Sequence, residues 1–290
     1  MHMELAFKRA SGLSAVCAIP YKERGVVIGH ASAITVLSDT SGGADTFMQA
    51  RMGLVQHMSL LTDNTLFSVS MDSHVRVWDI SRGHETTSLN HGSGIPLGVA
   101  TLSSTSVATT CDNTIRVWDV RTKDNHVAIT APRFTHFRNL HRLPDGRLLT
   151  TLNGVPCIYD LRTGQREWSG VGHVHAMTAL PNGNVAFVEP VRSGAGLTVL
   201  TPDGRDVCRH ALGSESDVVA LPGGDLVTMC KGDMTVRLHD SRTGAVKHAV
   251  SHEKFAPLAG ILYHRLVALN DGRIGICEGD LYLVKPSRHA

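Results

Sequence analysis

An all-β fold, a single seven-bladed β-propeller of four-stranded antiparallel blades, is what three observations in this 290-residue sequence predict. The first is a ruler of aspartates. Asp79, Asp119, Asp160 and Asp240 each end a short strand-like run: Val75-Arg-Val-Trp-Asp79, Ile115-Arg-Val-Trp-Asp119, Cys157-Ile-Tyr-Asp160 and Val236-Arg-Leu-His-Asp240. They are spaced by 40, 41 and twice 40 residues, and Asp39 stands 40 residues before the first. A fixed period of about 40–45 residues marks a blade repeat. The second and third observations are turns in phase with that ruler. Leu-Pro-x-Gly occurs at 143–146, 180–183 and 221–224, and Arg-Thr-Gly at 162–164 and 242–244. Proline presets φ for the first turn position and glycine takes the positive φ that follows, so such tetrapeptides close hairpins at low cost.

Dividing the chain by its period gives about seven units, which fills one ring and leaves no room for a second domain. The expected blades are approximately 14–51, 53–91, 96–131, 134–170, 173–212, 215–251 and 255–286. Each carries strand A innermost, lining the channel, to strand D outermost. In unit 1 the clearest strands are Gly25 to Ile28 and Ile34 to Leu37. Unit 2 reads His57 to Leu61, Thr65 to Met71, His74 to Ile80 and Glu85 to Asn90. Unit 3 repeats this as Gly98 to Leu102, Ser106 to Thr110, Thr114 to Val120 and His126 to Thr130. Unit 5 contains the longest B-to-C connection, Glu189 to Gly196, with three small residues at Ser193, Gly194 and Gly196. Unit 7 uses Leu266 to Leu269, Ile274 to Cys277 and Leu281 to Val284. Residues 4–8 are left over, placed to add a strand to unit 7 and clasp the ring, because an open propeller exposes unpaired sheet edges.

An apolar fraction of 42% supports a substantial core, and with only 5% aromatic residues that core must be aliphatic. A formal charge of +2 is too small for nucleic-acid binding by bulk electrostatics. The six cysteines are scattered over different blades, mostly inside expected strands, where a thiol behaves as a small apolar group. Met1 to Arg9 lacks the apolar stretch of a signal peptide, and no apolar run reaches membrane-spanning length. The expectation is a cytoplasmic or nuclear protein.

Met71-Asp-Ser-His-Val-Arg-Val-Trp-Asp79 and Cys111-Asp-Asn-Thr-Ile-Arg-Val-Trp-Asp119 make the chain resemble the WD-repeat (WD40) family over essentially its whole length. The resemblance implies a buried network in which an Asp of the B-to-C turn joins a Ser or Thr, a His and the Trp. It assigns Asp72 with Trp78, and Asp112 with Trp118, to that network. Thr110, and Ser70 or Ser68, would supply the hydroxyl; His173 in Gly172-His173 would be the structural histidine. Asp233 keeps its place in unit 6, but His239 stands at the Trp position. Tyr159 and Asn153 replace the pair in unit 4.

No catalytic motif is present: His252-Glu253 and His84-Glu85 do not extend to His-Glu-x-x-His, and no nucleophile elbow or phosphate loop occurs. His173 and His175 have the spacing of two ligands on one strand face, but no third ligand accompanies them. The expectations are therefore no catalytic residues, no metal and no cofactor. A propeller-type metal-dependent hydrolase stands as an alternative that needs polar side chains converging on the channel, where strands A offer chiefly His57 and His175. Binding is the leading expectation, because a ring presents loops on a rigid frame. Phase places Arg51, His91, Arg133, Phe134, His136, Arg192, Lys231, His252, Lys254 and Phe255 on the face formed by B-to-C and D-to-A loops. Arg133, Phe134, His136, Arg192, Lys231, Lys254 and Phe255 are the proposed partner-binding set, basic and aromatic, suited to an acidic or phosphorylated protein segment. Trp118-Asp119-Val120-Arg121 also resembles the Trp-Asp-x-Arg box by which WD-repeat substrate receptors dock onto the adaptor of cullin-RING ubiquitin ligases. In that alternative Arg121, and Arg162 in the looser copy one blade later, project into the adaptor.

Overall fold

The computed structural model describes residues 3–9, 15–38, 46–49, 53–92, 94–170, 172–191, 194–213, 215–230, 235–251, 265–278 and 280–286. Its strands form seven four-stranded antiparallel sheets in a propeller arrangement. Six are built from four consecutive strands, and the seventh is shared by both ends of the chain. In order A to D, the first is Ala15–Tyr21, Gly25–His30, Ala33–Leu37 and Thr46–Gln49. The second is Val55–Thr62, Thr65–Ser70, His74–Asp79 and His84–Asn90; the third is Pro96–Thr101, Ser106–Cys111, Thr114–Asp119 and Asp124–Thr130. Phe137–Arg142, Leu148–Leu152, Val155–Tyr159 and Arg166–Ser169 make the fourth. The fifth is Ala176–Ala179, Val185–Val191, Gly194–Leu200 and Asp206–Leu212, and the sixth Glu215–Ala220, Leu226–Cys230, Thr235–His239 and Val246–Ser251. In the last, Arg265–Ala268, Ile274–Glu278 and Asp280–Pro286 are completed by Met3–Arg9, which pairs antiparallel with Asp280–Pro286 as the outermost strand.

Side chains on a strand point alternately to its two faces, and here both faces are covered. Leu66 packs in a core shared with the first sheet, and its neighbour Phe67 in one shared with the third. The same division splits Leu148 from Leu149, Val185 from Ala186 and Leu226 from Val227. Seven such cores, one between each neighbouring pair of sheets, run round the ring; the last packs Val26 and Ile28 against Val267, Cys277 and Leu283. Strands A touch in the same cyclic order, with Ala15–Tyr21 against both Arg265–Ala268 and Val55–Thr62. This is why the B strands are buried almost end to end, where each fully buried Val or Leu contributes about 1.5–3 kcal/mol. None of the six cysteines is in a disulfide, and five of them are buried in these layers.

The turn chemistry follows the sequence closely. Leu143, Leu180 and Leu221 each donate an amide hydrogen bond across the hairpin, and Gly146, Gly183 and Gly224 close the turn at φ near +90°. Leu269-Asn-Asp-Gly272 makes the same turn without the proline. One expectation is corrected. The segment Glu189 to Gly196 is no open loop: Glu189, Pro190 and Val191 pair with Gly196, Ala195 and Gly194, extending the hairpin of the fifth sheet. Among the described residues no helix is long and apolar enough to cross a membrane.

Candidate protein-binding face

The ruler aspartates are turn caps. Asp79 accepts the amide of Arg82 at 3.0 Å, Asp119 those of Arg121 and Thr122, Asp160 that of Arg162, and Asp240 those of Arg242 and Thr243. A side-chain oxygen that bonds nearby backbone N–H groups is what tight turns favour. The Arg242 amide, then the Lys247 ammonium, hold the Asp240 carboxyl down to about 2. Asp39 lies outside the described residues.

Above these turns the tryptophans are held by hydroxyls one strand inward. Trp78 Nε1 donates to Ser68 Oγ at 2.9 Å and Trp118 Nε1 to Thr109 Oγ1 at 2.8 Å. His239 occupies the same register in the sixth sheet, with Nε2 2.8 Å from Thr228 Oγ1. In each case the hydroxyl residue pairs across the ladder with the arginine two positions before the ring. The partner of Trp118 is therefore Thr109, not Thr110, whose buried hydroxyl has no hydrogen-bond partner among the described residues. Strand alternation turns adjacent side chains to opposite faces, so only one of the two threonines can face the indole. The histidine of this network is His91 and not His173. His91 is 3% exposed, lies 2.8 Å from Thr109 Oγ1 and tilts against the Trp118 ring at 5.4 Å. It ties the second sheet to the third and is not a face residue. Burial, with the nearby Arg116 charge, pushes the ring down to about 4. His173 and His175 are exposed and precede strand A of the fifth sheet, which starts at Ala176, so neither enters a network or shares a strand face.

Neither turn aspartate reaches its tryptophan. Asp72 is intercepted by Arg76, whose guanidinium bonds it at 2.6 and 3.1 Å, reaches Ser70 Oγ at 2.9 Å and lies 3.3 Å from Glu85. Burial raises the Asp72 carboxyl, but the bonds from Arg76, Ser70 and the His74 amide outweigh it and leave the group well below the usual carboxylate range. In the third sheet Arg116 bonds Asn125 instead, and Asp112, at φ +47°, turns outward to lie 3.7 Å from His136 Nδ1. Asp233 lies outside the described residues.

The B-to-C turns and D-to-A connections meet at one end of the ring: Phe137 N bonds Asp112 O at 2.7 Å, and Asn153 N bonds His136 O at 2.9 Å. The connection Ala131-Pro-Arg-Phe-Thr-His136 is pinned at both ends and braced within. Asn113 Nδ2 donates to Ala131 O, Thr135 Oγ1 to Pro132 O, and His136 N to Asn153 Oδ1. At its apex Phe134 is 94% exposed and adopts φ +64°. A non-glycine residue in the left-handed region costs on the order of 1 kcal/mol, and leaving a phenylalanine in water forgoes about 1.5–3 kcal/mol of burial. Neither cost is offset inside the protein. Arg133 and His136 of the same connection are exposed, and Met71 is 45% exposed on the B-to-C turn of the second sheet. Arg51, Arg192, Lys231, His252, Lys254 and Phe255 lie outside the described residues.

At the opposite end, Arg121 and Arg162 are both exposed on C-to-D turns. Arg162 is tethered to Asp160 at 3.4 Å, whereas Arg121 makes no side-chain ion pair among the described residues. The channel opens here in a cavity of about 470 Å³ ringed by Pro144, Pro181 and Pro222, with Arg142 and Asn270 at its edge. No group of three or more His, Cys, Asp or Glu side chains placed to hold a metal occurs among the described residues. No family model matches the chain, and no curated protein is significantly similar to it.

Proposed function

We propose that the protein is a non-catalytic interaction scaffold, a seven-bladed ring of WD-repeat type that captures a protein or peptide segment on the face around Phe134. The observation that carries this reading is an exposed, left-handed phenylalanine at the tip of a loop whose two ends are held by backbone and side-chain hydrogen bonds at Ala131 and His136. A rigid aromatic on a fixed frame loses little freedom on binding, and aromatic and arginine residues dominate interface energetics. Arg133 beside it favours an acidic or phosphorylated segment. The test is partner capture by Phe134→Ala and Arg133→Glu variants, with thermal stability measured in parallel. Capture lost at unchanged melting temperature supports the reading; a parallel loss of both makes Phe134 a structural residue and overturns it.

A second reading, docking of a cullin-RING ligase adaptor at the opposite end, is favoured by the untethered side chain of Arg121. There Arg121→Ala abolishes co-purification of an adaptor while Phe134→Ala does not; an adaptor retained by Arg121→Ala rejects it.

A further inference from the structure

A second recessed site lies on the flank of the ring, between the outer strands of the fourth and fifth sheets. A cavity of about 370 Å³ opens there, with Trp168 on one sheet and Phe187 on the next stacked at 6.0 Å and 14°. Its polar wall comes from the extended hairpin and the strand beside it: Glu189, Thr198, Asp206 and Arg209. Glu189 is half-buried. It accepts a hydrogen bond from the buried Thr198 hydroxyl, and the cation that feels its charge is Arg209, which is hydrogen-bonded to Asp206. Asp206 takes the Nε and NH2 of Arg209 at 3.2 and 3.0 Å, both side chains being largely exposed. Two carboxylates against one guanidinium leave one negative charge in excess within an aromatic-walled cleft. The Trp168 indole N–H, half-buried at the edge of the same cleft, has no acceptor among the described residues.

We propose that this cleft receives an arginine side chain from an extended segment of a partner protein. A half-buried carboxylate that must share its neighbouring guanidinium, Arg209, with Asp206 favours a second cation, because removing a charge from water is costly unless it is paired. An aromatic wall adds attraction for a cation over the ring. The planar guanidinium satisfies both at once, stacking on an aromatic face while its fork meets the carboxylate, which a lysine ammonium does less well. The site shares no residue with the Phe134 face and does not depend on it.

Trp168 also provides the readout, since Trp78 and Trp118 are each 1% exposed and report nothing from the surface. The experiment is titration of the full chain with the peptide acetyl-Ala-Arg-Ala-amide, following tryptophan emission. The same titration is run with the lysine peptide and with the citrulline peptide, a neutral isostere of arginine. A single side chain gives a Kd on the order of millimolar. The expected result is a saturable change with arginine, severalfold weaker with lysine and at least about tenfold weaker with citrulline. Glu189→Gln abolishes it, and Asp206→Asn, at an exposed position, weakens it severalfold even where Glu189→Gln does not fold. Phe134→Ala leaves it unchanged. Equal responses to arginine and citrulline, no saturable response to arginine, or full binding by Asp206→Asn and Glu189→Gln overturns the proposal.

Discussion

Replacing Thr109 by valine, beside the same change at Thr110, isolates the hydroxyl network of the third sheet. Both side chains are fully buried, and valine matches threonine in shape. Thr109 Oγ1 serves two buried groups, the Trp118 indole at 2.8 Å and the His91 ring at 2.8 Å. Thr110 Oγ1 serves none among the described residues. Orphaning a buried polar group costs about 1–3 kcal/mol. Two orphans, partly offset by the apolar methyl, put Thr109→Val at roughly 3 kcal/mol. Unfolding entropy is about 2.1 cal/mol/K per residue, so 290 residues give roughly 0.6 kcal/mol/K and a melting temperature lower by about 5 °C. Thr110→Val removes an unsatisfied hydroxyl and leaves the melting temperature unchanged or raised. Differential scanning calorimetry reads both. Equal losses at the two positions, or a Thr109→Val variant within about 1 °C of wild type, refutes the assignment.

Other consequences follow from particular contacts. Asp72→Asn leaves the buried Arg76 with Glu85 as its remaining anionic contact, and urea unfolding should show a loss of about 2–3 kcal/mol; a loss under about 0.5 kcal/mol contradicts the pairing. His91 is held to about 4 when folded against about 6.5 unfolded, so the unfolded chain binds the extra proton. Its stabilising contribution is complete above about pH 6.5 and declines by up to about 3 kcal/mol as pH falls towards 4. A His91→Gln variant should show a flatter dependence of melting temperature on pH over that interval, and an unchanged slope rejects the assignment. At Gly204, φ is +88° and an added Cβ would collide with the Trp168 ring. Gly204→Ala should therefore alter the Trp168 emission spectrum and lower stability by more than about 1 kcal/mol; an unaltered spectrum would place the indole elsewhere.

The architecture was legible because its signals are local and repeated. Period, Leu-Pro-x-Gly turns and strand-ending aspartates all act within one hairpin, so the sheets fall where the ruler puts them. The residues 4–8 were recognisable as a closing strand only because the seventh unit lacked one. Long-range partners were harder. His91 follows Asn90 at the end of a strand and precedes a glycine, which reads as a loop; its burial is decided by Thr109 and Trp118 of the next sheet. His91 precedes a glycine, Gly92, so the Gly-His pair that marks such a histidine is absent here. The expected hydroxyl, Thr110, is one residue off: the ladder, in which Thr109 opposes Arg116, decides which threonine faces the indole. The small residues of Glu189 to Gly196 read as a loop, yet Val191 and Gly194 still pair. The Trp168 and Phe187 stack joins residues of two sheets and left no motif. The exposure of Phe134 was foreseeable only as a loop residue, since nothing local distinguishes a phenylalanine tucked under its blade from one held in solvent.

The central claim, that the face around Phe134 captures a partner, is tested most directly by quantitative affinity capture from the protein's own cells, comparing wild type with Phe134→Ala and Arg121→Ala at matched folding. The prediction is a set of partners lost with Phe134→Ala and retained with Arg121→Ala. Identical partner sets with wild type and Phe134→Ala would contradict it.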